Sequence, residues 1–204
     1  MRKYVKYILV LIFLILFGII AFNVYKDNDF YSDGFVYDFV SKYFITDSVT
    51  PFIKFITWFG SAFGIIVMAL LSLFVFKSKK ISVSMTVCLI LGTAINNVLK
   101  IIFARPRPSV NPLVVETSHS FPSGHSMMSM IFYGYLIYLV YNHLENKWVK
   151  WIFVIVLSIS IVCIGFTRIY LGVHYFSDII GGFALGFVYL VMYIEVSKKI
   201  IKKI

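Results

Sequence analysis

Six runs of the chain, residues 7–25, 55–76, 81–99, 126–141, 151–166 and 179–194, are almost wholly apolar, and no other feature narrows its possible folds so far. A helix that crosses the hydrocarbon layer of a bilayer needs roughly 20 such residues. The last three runs fall short of that and are expected to extend into their flanks. None alternates with the period of two that marks a strand, and in lipid each backbone N–H and C=O must be satisfied internally. The expected fold is all-α: a polytopic membrane protein, a six-transmembrane-helix bundle, and one domain over residues 1–204. Composition agrees, since 60% hydrophobic residues with only 14% charged lies outside the range of soluble domains.

Arg2, Lys3 and Lys6 precede the first run, as in a secretory signal peptide. A retained signal anchor is the better reading, because the run continues to Tyr25 without a convincing pair of small residues for cleavage beyond Ala21. Lys77, Lys79, Lys80, Lys147, Lys150, Lys198, Lys199, Lys202 and Lys203 fall on the same side of a six-helix layout as these first basic residues. That side, with both termini, is expected to be cytoplasmic. Asp27, Asp29, Asp33, Asp38, Asp47, Arg105, Arg107 and Arg168 fall on the opposite side. The formal net charge of +10 is then an orientation signal, and nucleic acid is not an expected partner. Cys88 and Cys163 lie within apolar runs and read as small buried thiols.

Two connections on the outer side carry the polar chemistry. One holds Lys100, Arg105-Pro-Arg-Pro108 and Phe121-Pro-Ser-Gly-His125; the other runs from Thr167-Arg168 through His174 to Asp178. Each piece has a plain structural reading. A juxtamembrane Arg-Pro or Lys snorkels to the headgroups at a helix end, Pro-Ser-Gly starts a helix with a serine cap, and His174 with Asp178 four residues on makes a hydrogen bond or half a metal site. Their gathering at one membrane depth points to a site.

Phosphoryl transfer suits these groups. Lys100, Arg107 and Arg168 offer one point charge and two planar forks to the non-bridging oxygens of a phosphate. Ser123 adds a hydroxyl, Gly124 allows close backbone approach, and the helix that begins there aims free N–H groups at the anion. His174, oriented by Asp178, can attack phosphorus. His125 can protonate the leaving oxygen and then activate water. Asp178 is the only carboxylate in these motifs, so a carboxylate-bound metal pair is not expected and fixed cations take its place.

These residues resemble the three-part signature of the type 2 phosphatidic acid phosphatase superfamily: Lys100, six residues, Arg107-Pro108; Pro122-Ser-Gly-His125; and Arg168, five residues, His174, three residues, Asp178. Thr167 stands where many members carry Ser, which keeps the hydroxyl. The doubled Arg-Pro offers two registers, of which only Arg107 fits the six-residue spacing. The resemblance implies metal-independent hydrolysis of a membrane lipid phosphate or diphosphate through a phosphohistidine on His174, without cofactor. It implies phosphate binding by Lys100, Arg107, Ser123, Gly124 and Arg168, acid and base work by His125, and orientation by Asp178. Bacterial members of this appearance are often undecaprenyl-diphosphate or phosphatidylglycerophosphate phosphatases. A lipid phosphotransferase and a non-catalytic lipid-phosphate binding or transport protein are the competing readings, and oligomeric state is left open.

Thr93, Asn97 and Lys100 are spaced to share one helix face and form a polar stripe toward the phosphate, or equally an interhelical packing face. Phe35, Val36, Phe39, Val40, Tyr43 and Phe44 fall on one face of a short amphipathic helix on the outer leaflet. Gly182 and Gly186 have the spacing for close helix contact within the bundle. Glu116 and His119 lie near the anion site but are set outside the catalytic group.

Overall fold

The computed structural model describes residues 2–75 and 78–201. Those residues form eight helices and no strand: α1 (Arg2–Tyr25), α2 (Tyr31–Tyr43), α3 (Thr50–Trp58), α4 (Ala62–Val75), α5 (Lys79–Phe103), α6 (Gly124–His143), α7 (Lys147–Tyr170) and α8 (Phe176–Ile201). Of the basic residues used for orientation, Lys77, Lys202 and Lys203 lie outside the described residues, as do the side chains of Arg2, Lys3 and Lys199.

Among the described residues α1, α5, α7 and α8 are each long and apolar enough to cross a membrane, and α3 with α4 makes a fifth span if a bent pair counts as one. Two of the six expected runs therefore differ from a simple spanning helix. The run 55–76 begins inside α3, breaks after Trp58 and turns by 57° into α4. The break has a local cause: Ser61 Oγ donates to Trp58 O at 2.7 Å and accepts from Gly64 N–H at 3.0 Å, so the hydroxyl caps a new helix. The run 126–141 lies within α6, which packs against protein on several sides and is not among the helices long and apolar enough to cross. Its Tyr135 donates to Ser84 Oγ at 3.0 Å, and Tyr133 donates to Phe59 O at 3.0 Å.

Helix α6 packs against α5, α7 and α8. Gly182 and Gly186 make the α6–α8 contact possible: a Cβ at Gly182 would lie 2.8 Å from Ser123 O, and one at Gly186 2.9 Å from Met127 O. The small-residue spacing thus serves packing within the bundle. Tyr189 donates to Cys88 O at 2.8 Å and Tyr193 to Ser84 O at 2.6 Å, tying α8 to α5. Cys88 is buried, whereas Cys163 is only half-buried.

Lys6 Nζ meets Glu195 Oε1 at 2.7 Å, which sets the start of α1 beside the end of α8. At the opposite end of the bundle lie α2, the end of α5, the start of α6, the end of α7 and the start of α8. The aromatic face expected on α2 divides in two. Val40 is buried and Val36 packs inward, while Phe35, Phe39, Tyr43 and Phe44 are exposed.

Candidate active site

Local backbone signals bring the second motif to its place. Helix α7 ends with Gly172 at φ +67°, its N–H donating to Ile169 O at 2.9 Å and the next N–H, of Val173, to Arg168 O at 3.2 Å. This is the Schellman pattern, and a left-handed residue there favours glycine. His174 follows directly. Asp178 sits in the first turn of α8 and accepts the backbone N–H of Tyr175 at Oδ2, 3.0 Å away, as the reaching-back acid of a capping box does. The same oxygen lies 3.3 Å from His174 Nδ1 and accepts a short hydrogen bond from Ser120.

The other motif is placed by a helix end and a helix start. Helix α5 stops at Ala104, left-handed at φ 44°, just before Arg105-Pro106. Ser123 caps α6, with its Oγ 3.4 Å from Ser126 N and 3.1 Å from Ser126 Oγ. Ser123 N donates to Asp178 O at 3.1 Å, which locks the start of α6 to the start of α8.

Around these anchors the cations converge. Arg107 donates through Nη1 to Val173 O at 2.7 Å and lies 3.2 Å from His174 Nε2. With Arg107 donating to Nε2, the hydrogen-bond pattern assigns the imidazole proton to Nδ1, facing Asp178, and leaves the lone pair on Nε2. His174 is 3% exposed. Burial pushes its pKa down to about 4, against the opposing hydrogen bond and charge of Asp178, so the ring is neutral at pH 7.

Lys100 Nζ donates to His119 O and, at 3.4 Å, to Ser118 Oγ. Arg168 is 1% exposed and donates through Nη1 to Thr57 Oγ1 at 2.8 Å. Its Nη2 pairs closely with Glu116 Oε1, while Glu116 Oε2 lies 3.7 Å from Arg107 Nη2. One carboxylate therefore spans two guanidinium groups. Arg168 Nε is buried and without a hydrogen-bond partner among the described residues, a donor left over for an anion.

A cavity of about 800 Å³ opens on this group. Lys100, Arg107, Glu116, Gly124, His125 and His174 line its polar end; Ile65, Ile66, Ala69, Leu70, Leu89 and Ile90 line its apolar end. Thr93 and Asn97 also reach it, so the expected stripe on α5 faces the same space as Lys100. Of the eight residues singled out by the motifs, Lys100, Arg107, Gly124, His125 and His174 border the cavity directly. Arg168 and Asp178 stand behind its wall, and Ser123 is fully buried with its hydroxyl engaged in capping.

Spacing alone missed several partners. Asn96 Nδ2 donates to Pro122 O at 3.3 Å and so supports the turn before His125. Ser120 holds Asp178, and Glu116, set aside above, sits among the cations. Arg105, which the register excludes, meets Asp178 Oδ1 at 2.6 Å. Only the i, i+4 relation of His174 to Asp178 was legible as a pair; the others join residues far apart in the chain.

The cavity thus gathers cationic side chains at one end and apolar side chains at the other. The chain belongs to the PAP2 superfamily, whose profile matches residues 81–202, more than half its length, and its apolar helices fit a multi-pass membrane protein. Undecaprenyl-diphosphatase of Sulfolobus acidocaldarius is 29% identical over 194 residues, covering 91% of this chain and 88% of that protein. Phosphatidylglycerophosphatase B of Bacillus subtilis is 43% identical over 102 residues, 48% of this chain. That match spans only 50% of the relative's own length. The crystal structure of a transmembrane PAP2-type phosphatidylglycerolphosphate phosphatase from Bacillus subtilis superposes with a TM-score of 0.76 at 28% identity, covering 96% of each chain.

Proposed function

We propose that this protein hydrolyses the phosphate or diphosphate headgroup of a membrane lipid, of the isoprenoid or glycerolipid kind, by way of a phosphohistidine on His174. The observation that carries the reading is the Glu116 carboxylate held between Arg168 and Arg107, with His174 Nε2 3.2 Å from the Arg107 guanidinium. An oxyanion already occupies the two forks beside a neutral imidazole nitrogen.

In the proposed reaction the headgroup phosphate takes the place of Glu116 on Arg107 and Arg168, with Lys100 and the Gly124 backbone completing the cradle. Burial and the nearby charges of Arg168, Arg107 and Lys100 lower the His125 pKa well below its ordinary value, so the ring takes up its proton only once the phosphate anion offsets those charges. Nε2 of His174 then forms a bond to phosphorus as the bond to the lipid oxygen breaks, and His125 gives that oxygen the proton. Asp178 stabilises the positive charge that develops on the His174 ring. His125, now neutral, takes a proton from water whose oxygen attacks phosphorus, releasing inorganic phosphate and restoring His174. Ser123 caps α6 through its oxygen and offers its hydroxyl proton to the phosphate.

The acyl or isoprenoid tail lies along the apolar end of the cavity, between α4 and α5. Lys6, Lys79, Lys80, Lys147, Lys150 and Lys198 belong to the end away from the site, which favours six spans, both termini in the cytoplasm and the site on the extracytoplasmic surface. Residues 1–204 act as one unit in this reading.

The test is phosphate release by detergent-purified protein, with a chelator present, from undecaprenyl diphosphate, phosphatidylglycerophosphate and phosphatidic acid, beside His174→Ala. Chelator-resistant release that His174→Ala abolishes is the expected result, and it ranks the three substrates. No release from any of them by the wild-type protein overturns the reading.

A further inference from the structure

Arg105 stands two residues before the arginine that fits the family spacing, and the chain repeats the Arg-Pro pair without evident need. The structure gives it a separate task. Its Nη1 donates to Asp178 Oδ1 at 2.6 Å and to Ser177 Oγ at 2.8 Å, and its Nη2 pairs with Asp33 Oδ2 at 3.0 Å. Asp33, on α2, also accepts Ser177 N–H at 2.7 Å and Ser177 Oγ–H at 2.7 Å. The guanidinium lies over the Tyr175 ring, 4.1 Å from its centroid.

The two oxygens of Asp178 therefore have distinct neighbours. Oδ2 faces His174, Ser120 and the Tyr175 N–H; Oδ1 faces Arg105. Asp178 is 0% exposed, so in the intact protein its oxygens depend on protein donors. A planar fork that donates in two directions is what the geometry requires, since one arm must reach Asp178 while the other reaches Asp33.

Resting on the catalytic reading of His174 and Asp178, we propose that Arg105, braced by Asp33 on the surface helix α2, is a positioning residue for the reaction: it holds the Asp178 carboxylate in the rotation that keeps the His174 proton on Nδ1 and the attacking lone pair on Nε2. Arg105 does not touch substrate in this scheme, because it borders a different cavity. That space, about 900 Å³, opens beside α2 and carries Asp27, Asp29 and Asp38 on its walls. A small cation can reach the Arg105 position from there.

The experiment compares Arg105→Ala, Arg105→Lys and Asp33→Asn with wild type, using a lipid phosphate that the wild-type protein hydrolyses. Arg105→Ala is expected to lower kcat about 10- to 100-fold, as loss of a supporting hydrogen bond around a reactive group does, with KM little changed. Guanidinium at millimolar concentration should restore part of that kcat in a saturable way. Arg105→Lys, which keeps one arm, and Asp33→Asn should fall between. Wild-type kcat in Arg105→Ala, or a rise in KM at unchanged kcat, overturns the proposal, as does a loss that guanidinium does not relieve and that tracks a lowered thermal midpoint in all three variants. If the wild-type protein itself releases no phosphate, the functional reading fails, and nitrogen NMR of the histidine rings still tests this one. The His174 proton is expected on Nδ1 in wild type and shared between the nitrogens in Arg105→Ala; an unchanged tautomer there overturns it.

Discussion

His174, in the bend before α8, faces Asp178 four residues on, Nδ1 to Oδ2 at 3.3 Å, and the same oxygen closes the first turn of α8 through the Tyr175 N–H. One carboxylate thus orients the imidazole and begins the helix that follows it. Asp178→Asn keeps the size and most of the cap but can turn an amide NH₂ toward Nδ1, which favours the wrong tautomer. We expect kcat to fall ~10³-fold or more with the fold retained. Steady-state phosphate release beside a thermal melt checks it; a loss below tenfold would count against the role of Asp178.

The acid side of the His174 titration follows from its burial. Its pKa is displaced from the ordinary 6.5 down to about 4, so the neutral nucleophile persists as pH falls from 7 through 6.5 and is lost only near pH 4. Because a phosphate ester itself titrates near pH 6, rate profiles confuse the two. Ring carbon NMR of histidine-labelled protein in micelles, with the His174 signal assigned by its absence in His174→Ala, separates them. A midpoint near 6.5 would mean that water reaches the ring.

In the proposed reaction Glu116 competes with phosphate for Arg168 and Arg107. Glu116→Gln removes the competing charge and keeps the shape, so inorganic phosphate and vanadate should inhibit at least several-fold more strongly, since the buried Arg168 fork loses its carboxylate partner. The inhibition constant with Glu116→Gln, measured on a common lipid substrate, decides; unchanged inhibition would place the anion site away from these two arginines.

Gly182 lets α8 approach the backbone at the start of α6. A Cβ there meets Ser123 O at 2.8 Å, and backbone yields little, so Gly182→Ala should cost roughly 1–3 kcal/mol of stability and lower activity by shifting the Ser123–His125 turn. Gly34→Ala on α2, where a Cβ meets nothing within 4 Å, is the matched control and should be neutral or slightly stabilising. Thermal midpoints and specific activities of the two variants test the contrast.

The apolar runs and the family signature were legible because both are local or nearly so. Run length against bilayer thickness predicts helices whatever their neighbours, and α1, α5, α7 and α8 follow it. The bend between α3 and α4 was less visible, since Ser61 reads as an ordinary polar residue until its hydroxyl caps the second helix. Ser123 shows the converse case, where two local readings, cap and phosphate ligand, were both open: its Oγ accepts from Ser126 N–H and Oγ–H, which makes the cap and leaves the hydroxyl proton to donate.

The sequence by itself determined that this chain is a helical membrane protein of the PAP2 superfamily, with cations and two histidines in a recognisable order. Only the tertiary structure decided which charges meet: Glu116 with Arg168 and Arg107, Arg105 with Asp178, and Asp33 of α2 with Arg105 and Ser177. The reason is physical. Hydrophobic length and turn geometry act within a segment, whereas a buried charge takes whichever opposite charge the packing of helix ends brings within hydrogen-bond reach, however far apart the two stand in the chain.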